Sequence, residues 1–75
     1  MRDVIVGKTY RHVSGNYYRV ICIALDTVEK EDGKPRQMVV YESLSNDAKI
    51  FVRPLSLFNA LDTEGIQKYR FEMID

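Results

Sequence analysis

Apolar and polar positions alternate with period two along most of this chain. Lys8 to Val13 alternates, with Tyr10 and His12 on one parity. Tyr17 to Leu25 is the strongest run. Tyr18, Val20, Cys22 and Ala24 share one face, and Tyr17, Arg19, Ile21, Ile23 and Leu25 share the other. Met38 to Ser43 and Lys49 to Val52 resume strand character, and Val4-Ile5-Val6 is a short β-branched run closed by Gly7. Turn chemistry separates the runs at Ser14-Gly15-Asn16 and Ser45-Asn46-Asp47. Asp26 to Gln37 is polar and contains Asp32-Gly33, a hairpin signal, followed by Lys34-Pro35. Its length and lack of apolar periodicity predict a mobile tip, with Glu29 to Pro35 dispensable for folding.

Pro54 then suits the first turn of a helix, where its missing N–H is no loss. Leu55, Phe58 and Leu61 have one-face helical spacing, so residues 55–61 are predicted as a helical or 3₁₀ turn. In the tail from Ile66 to Ile74, Tyr69, Phe71 and Met73 alternate with Lys68, Arg70 and Glu72. Ile66, Tyr69 and Met73 also fit a helix, but the alternation and the β-formers favour a strand. The fold expected is a single domain over residues 1–75. It is mainly β, a small SH3-like β-barrel of about five strands with one short helical turn after Pro54. Val20, Ile23, Val39, Val52, Leu55, Phe58 and Phe71 are the predicted core, and Cys22 is predicted to be a small buried hydrophobe.

Composition narrows the function. The chain has 75 residues, with 11 basic and 11 acidic side chains that cancel. Neutrality argues against strong nonspecific nucleic-acid binding, which needs a basic footprint. The charge is uneven, however. Residues 1–25 carry Arg2, Lys8, Arg11 and Arg19 against Asp3 alone, which is either a local basic patch or a solvated surface. The longest apolar stretch, Val20 to Leu25, is far short of the roughly 20 residues a membrane span needs. No signal peptide is read at the N-terminus. One cysteine forms no internal disulfide, and a reducing cytoplasm is the expected setting.

Catalytic chemistry finds few residues. One histidine, His12, and one cysteine, Cys22, do not make a metal cluster, and no cofactor or metal is expected. Gly7, Gly15, Gly33 and Gly65 are scattered, so there is no glycine-rich phosphate loop. Glu29, Glu31 and Asp32 stand among lysines in a polar segment and read as a solvated loop. The aromatic rings are the stronger signal: Tyr10, His12, Tyr17, Tyr18, Tyr41 and Phe51 are many for so small a domain. Packing is the default for each, with Tyr17 and His12 the two predicted to be exposed. Rings on neighbouring strands could otherwise form a groove for an extended peptide, a base or a cation. Arg53 precedes Pro54, which confines it to extended backbone and aims its guanidinium. It would clamp a carboxylate such as Glu42, or meet an anionic ligand group beside His12 and Tyr10.

Taken in order, Tyr10-Arg11-His12, Gly15-Asn16, Tyr18-Arg19-Val20, Ile23-Ala24, Met38-Val39-Val40-Tyr41, Val52-Arg53-Pro54 with Phe58, and Arg70-Phe71 resemble the domain of unknown function family 1653 of bacteria and phages. The resemblance runs from about Gly7 to Phe71 and implies an SH3-like barrel, but no established activity. The family usually has tryptophan where Phe51 stands, tyrosine where Ser45 stands and histidine near Asp26. A site depending on that histidine would be missing here.

The function expected is a noncatalytic, cytoplasmic module without a membrane role. It binds a protein or peptide partner through a groove of Tyr10, His12, Tyr17, Tyr41, Phe51 and Arg53. The alternative is nucleic-acid binding through the basic N-terminal third. A small hydrolase or transferase using His12 and Arg53 ranks third.

Overall fold

Alternation becomes strands almost wherever it is regular. β1 (Thr9–His12), β2 (Tyr17–Glu31), β3 (Lys34–Ser43), β4 (Ile50–Pro54) and β5 (Phe71–Met73) form one antiparallel sheet, with α1 (Leu55–Phe58) between β4 and β5. This computed structural model describes residues 2–45 and 47–75. Asn46, the middle of the predicted Ser45–Asp47 turn, lies outside the described residues. The strand order is β4-β3-β2-β1-β5, so the mainly-β expectation holds. β4 and β5 are the two edges. They approach through side chains, with the Arg53 guanidinium 5.0 Å from the Phe71 ring centre. The hydrogen-bonded ladder itself does not close on them among the described residues. No described helix is long and apolar enough to cross a membrane.

β2 departs from simple alternation at a bulge. Val20 pairs with Tyr41 and Cys22 with Val40, so Ile21 is an extra residue. Both Ile21 and Cys22 then face outward, and Ile23, not Cys22, packs on the core. The single face predicted for Tyr18, Val20, Cys22 and Ala24 therefore breaks after Val20, and the Cys22 thiol is exposed rather than buried. The same outer row takes Val52, which pairs with Val40 and is 59% exposed, so Val52 is not a core residue.

The polar segment 26–37 is not a loose loop. β2 and β3 run to Glu31 and Lys34, joined by Asp32 and Gly33 with φ of 50° and 77°. Positive φ at both turn residues is what a tight two-residue hairpin requires. The excess length sits in a second irregularity. Asp26 pairs with Arg36 and Lys30 with Pro35, so Thr27, Val28 and Glu29 bulge out. The Asp26 carboxylate accepts the N–H groups of Val28 and Glu29 at 2.9 and 3.1 Å and fixes the bulge.

Tyr10, Val20, Val39, Tyr41, Phe58 and Phe71 form the core, with Val4, Tyr18, Ile23 and Leu55 packed against it. Phe58 stacks on Phe71 at 4.2 Å and meets Tyr10 and Tyr41 edge-on at 5.3 and 5.4 Å. Pro54 caps α1, which closes after one turn when the Asn59 N–H donates to the Leu55 carbonyl. Below the core, Arg2 lies 3.9 Å from the Tyr69 ring centre and 5.3 Å from that of Tyr10. Its Nε donates to Asn59 Oδ1 at 2.8 Å, Asn59 Nδ2 donates back to the Arg2 carbonyl at 3.0 Å, and an Arg2 terminal nitrogen donates to the Phe71 carbonyl.

The tail is a strand only over β5. Upstream, the Asp62 carboxylate accepts the N–H groups of Glu64, Ile66 and Gln67 and folds that stretch into a turn. These bonds, that of Gln67 foremost, hold the carboxyl below its usual range.

Candidate functional site

The concave face of the sheet opens into a cleft of about 170 Å³, lined by His12, Ser14, Tyr18, Tyr41, Phe51, Arg53 and Phe71. Register brings them together. Tyr41 pairs with Phe51, Val39 with Arg53 and His12 with Phe71, so these side chains share the inner face. Directly opposed residues on one face are the sheet's contact pairs. Tyr18 is the aromatic hub. Its ring lies 5.3, 6.2, 5.9 and 6.5 Å from those of Tyr41, Phe51, Phe71 and His12, all edge-to-face and, but for Phe71 at 64°, near perpendicular. Such edge-to-face contacts hold the walls in fixed orientations. Phe51 stands at the rim, 41% exposed.

Four of the six predicted site residues, His12, Tyr41, Phe51 and Arg53, thus meet in one cleft. Tyr10 does not. It is 1% exposed, deep in the core, and its hydroxyl accepts the Ile5 N–H at 3.0 Å. Tyr17 pairs with Arg11 and so faces the outer side, over a separate depression with Gly15, Asn16 and Leu44. Ser14, Tyr18 and Phe71 were missed as site residues. Tyr18 shares parity with Val20, a usable signal, but the pairing of Phe71 with His12 spans 59 positions and no local pattern reveals it.

Arg53 is the cation of the cleft. The carboxylate expected for it, Glu42, faces outward and is held by Arg19, whose Nε donates to Glu42 Oε1 at 2.9 Å. Adjacent parities on β3 and β4 separate the two: Glu42 pairs with Ile50, Arg53 with Val39. Among the described residues no carboxylate lies within ion-pair distance of Arg53. Burial pushes the Tyr41 hydroxyl up from its ordinary pKa, and the Arg53 charge pulls the other way.

His12 is held neutral. Burial lowers its pKa first, then the charges of Arg70 and Arg53, against a weaker pull from Asp62. Its Nδ1 accepts the Ser14 N–H at 3.1 Å and lies 2.8 Å from Ser14 Oγ. Gly15, with φ of 97°, makes the turn that places Ser14 there. With Nδ1 an acceptor, the neutral ring carries its proton on Nε2. A depressed folded pKa means that the neutral ring stabilises the fold above the ordinary histidine value, and that this is lost as pH falls through the folded one. A ¹H–¹⁵N correlation titration should show the Nε2–H tautomer and a midpoint below 6.5. A midpoint at or above that value, or an Nδ1–H ring, contradicts this arrangement.

Two of the four cations in the basic N-terminal third are already engaged. Arg2 is engaged by Tyr69, Tyr10 and Asn59, and Arg19 by Glu42, which leaves Lys8 and Arg11. A wider depression of about 590 Å³ lies between the hairpin and α1, lined by Leu25, Glu31, Lys34, Pro35 and Leu55. It contains no aromatic ring and none of the predicted site residues. Among the described residues no three His, Cys, Asp or Glu side chains are grouped to hold a metal ion.

The family described as "Protein of unknown function (DUF1653)" matches residues 8–73. No curated protein and no solved structure matches the chain.

Proposed function

The chain belongs to the DUF1653 family of proteins of unknown function, and from its geometry we propose that it is a noncatalytic, SH3-like binding module whose cleft receives a protein or peptide partner. The observation that carries this is Arg53: a half-buried guanidinium with no carboxylate in ion-pair reach among the described residues, set among aromatic rings and open to solvent. A cation so placed is ready for an external anionic or polar group. Strand order, with α1 between β4 and β5, supports the SH3-like reading. The unpaired thiol of Cys22 fits a reducing cytoplasm. His12 favours binding over base catalysis, because Nδ1 already accepts and Nε2 carries the proton. A general base needs a free lone pair within reach of the proton it removes.

The test is affinity capture from source cytoplasm on columns of wild type, Phe51→Ala and Arg53→Lys, followed by direct binding of the purified captured protein. Arg53→Lys keeps the charge and loses the planar fork. It should leave stability within about 0.5 kcal/mol, because Arg53 has no ion pair to lose among the described residues and the charge is kept, and weaken capture. Phe51→Ala should also weaken capture, at some cost in stability from its lost contacts with Tyr18 and Tyr41. Equal capture by all three columns rejects the cleft. Capture of nucleic acid that collapses with salt and follows Lys8 and Arg11 would favour the basic N-terminal third instead.

A further inference from the structure

β4 is an edge strand whose outer side is unpaired. It pairs with β3 alone, and among the described residues no backbone group outside β3 bonds to the backbone of Ile50–Arg53. Proteins normally blunt such edges with charge, bulges or a covering element. Here Ile50, Phe51 and Val52 form a consecutive exposed apolar run, with Ile50 64% exposed. Charge and proline appear only at the end of the strand, as Arg53 and Pro54. The edge also borders the cleft, because Phe51 and Arg53 project to the inner face and Ile50 and Val52 to the outer.

Resting on the binding-module reading, we propose that the partner is an extended peptide segment that adds to β4 as a sixth strand and sets an aspartate or glutamate carboxylate against Arg53. A strand laid along β4 continues its pleat. The residue opposite Arg53 then lies on the inner face about 5 Å away, within reach of the guanidinium. Its neighbours in sequence fall opposite Val52 and Pro54 on the outer face, where apolar side chains are favoured. The cleft supplies donors: the Arg53 guanidinium, the Tyr41 hydroxyl held protonated by burial, and the protonated Nε2 of neutral His12. An acceptor-only carboxylate matches that set, and an ammonium does not. The space, about 170 Å³, suits one such side chain rather than a large ligand.

The experiment selects random short linear peptides displayed against the full chain, then maps the enriched ones by amide chemical shifts on ¹⁵N-labelled protein. The expected outcome has three parts. Enriched peptides share one acidic position flanked by apolar ones, and shifts cluster at Ile50–Arg53 and His12. Replacing the acid by its amide weakens binding about tenfold or more, the scale of a lost charged hydrogen bond, and this preference vanishes in Arg53→Gln. N-methylation of alternate peptide amides abolishes binding on one parity only, as strand addition requires. Enrichment without an acidic position, or indifference to N-methylation, overturns the inference while shifts at the cleft still uphold the module. Shifts elsewhere, or no enrichment, overturn both. A β4-to-β4 dimer of the protein that blocks the edge at working concentration also overturns the inference.

Discussion

Phe58→Ala should remove most of the stability of the fold and leave a substantial unfolded fraction at room temperature. Phe58 is fully buried, stacked on Phe71 and touched edge-on by Tyr10 and Tyr41, so its removal strips contacts from three of the five other fully assembled core side chains. Truncating a buried phenylalanine costs about 3–5 kcal/mol. A domain of this size lies at the low end of the roughly 5–15 kcal/mol typical of folded proteins. The loss is therefore comparable to the whole stability. Urea titration followed by circular dichroism measures it, and Phe58→Leu, which refills part of the space, should recover a cooperative transition. A loss under about 1 kcal/mol for the alanine variant would mean that the core repacks, against the expectation for an ordered interior.

Arg2→Ala should have the second largest effect, a loss of about 2 kcal/mol from a cation–π contact and two hydrogen bonds in a partly buried place. Arg2 joins Asn59, which follows α1, to the carbonyl of Phe71 at the start of β5. It covers Tyr10 and Tyr69 from below. Removing it leaves the Oδ1 of Asn59, itself buried, without its donor, while Nδ2 keeps the backbone carbonyl of residue 2. Arg2→Lys should recover less than half, since one ammonium cannot reach ring, amide and carbonyl in the same geometry. Asn59→Ala on top of Arg2→Ala should cost less than Asn59→Ala alone, because the two act as one contact. Strictly additive losses would contradict the reciprocal pairing.

These two residues also mark what the sequence could and could not convey. Phe58 was legible, since Pro54 announces a helix start and Leu55 and Phe58 lie on one helical face. Val20, Val39 and Phe71 were legible for the same kind of reason, as apolar positions on one strand parity. Arg2 was not. Its partners stand 57 and 69 positions away, so composition could only count it as one of four cations in a basic third. Tyr10 and Tyr41 illustrate a second limit. A tyrosine is equally suited to a core and to a groove wall, and only the register of β1 and β3 shows that both rings are buried. The Asp32-Gly33 hairpin was legible from its turn residues, whereas the bulge that takes up the extra length was not. Glu29 to Pro35 buries little, yet Asp32-Gly33 and the Asp26 side chain order it through backbone hydrogen bonds. At the cleft, Arg53 was read from its place before Pro54. Its freedom from Glu42 depends on which parity of β4 faces inward, and that is a property of the assembled sheet.

The extra residue in β2 has a consequence for how the chain can change in length. Val20 points inward, Ile21 and Cys22 outward and Ile23 inward. Deleting Ile21 alone leaves Val20, Cys22 and Ile23 as in, out and in, an ordinary strand with every other side chain on its present face. Deleting Ile23 or Ala24 instead turns the rest of the strand over, as any one-residue slip does. A single gap is thus tolerated at one site in the longest strand and ruinous two positions later. Relatives that lack one residue between Val20 and Cys22 would be expected to keep the same interior, with a straighter, less twisted β2.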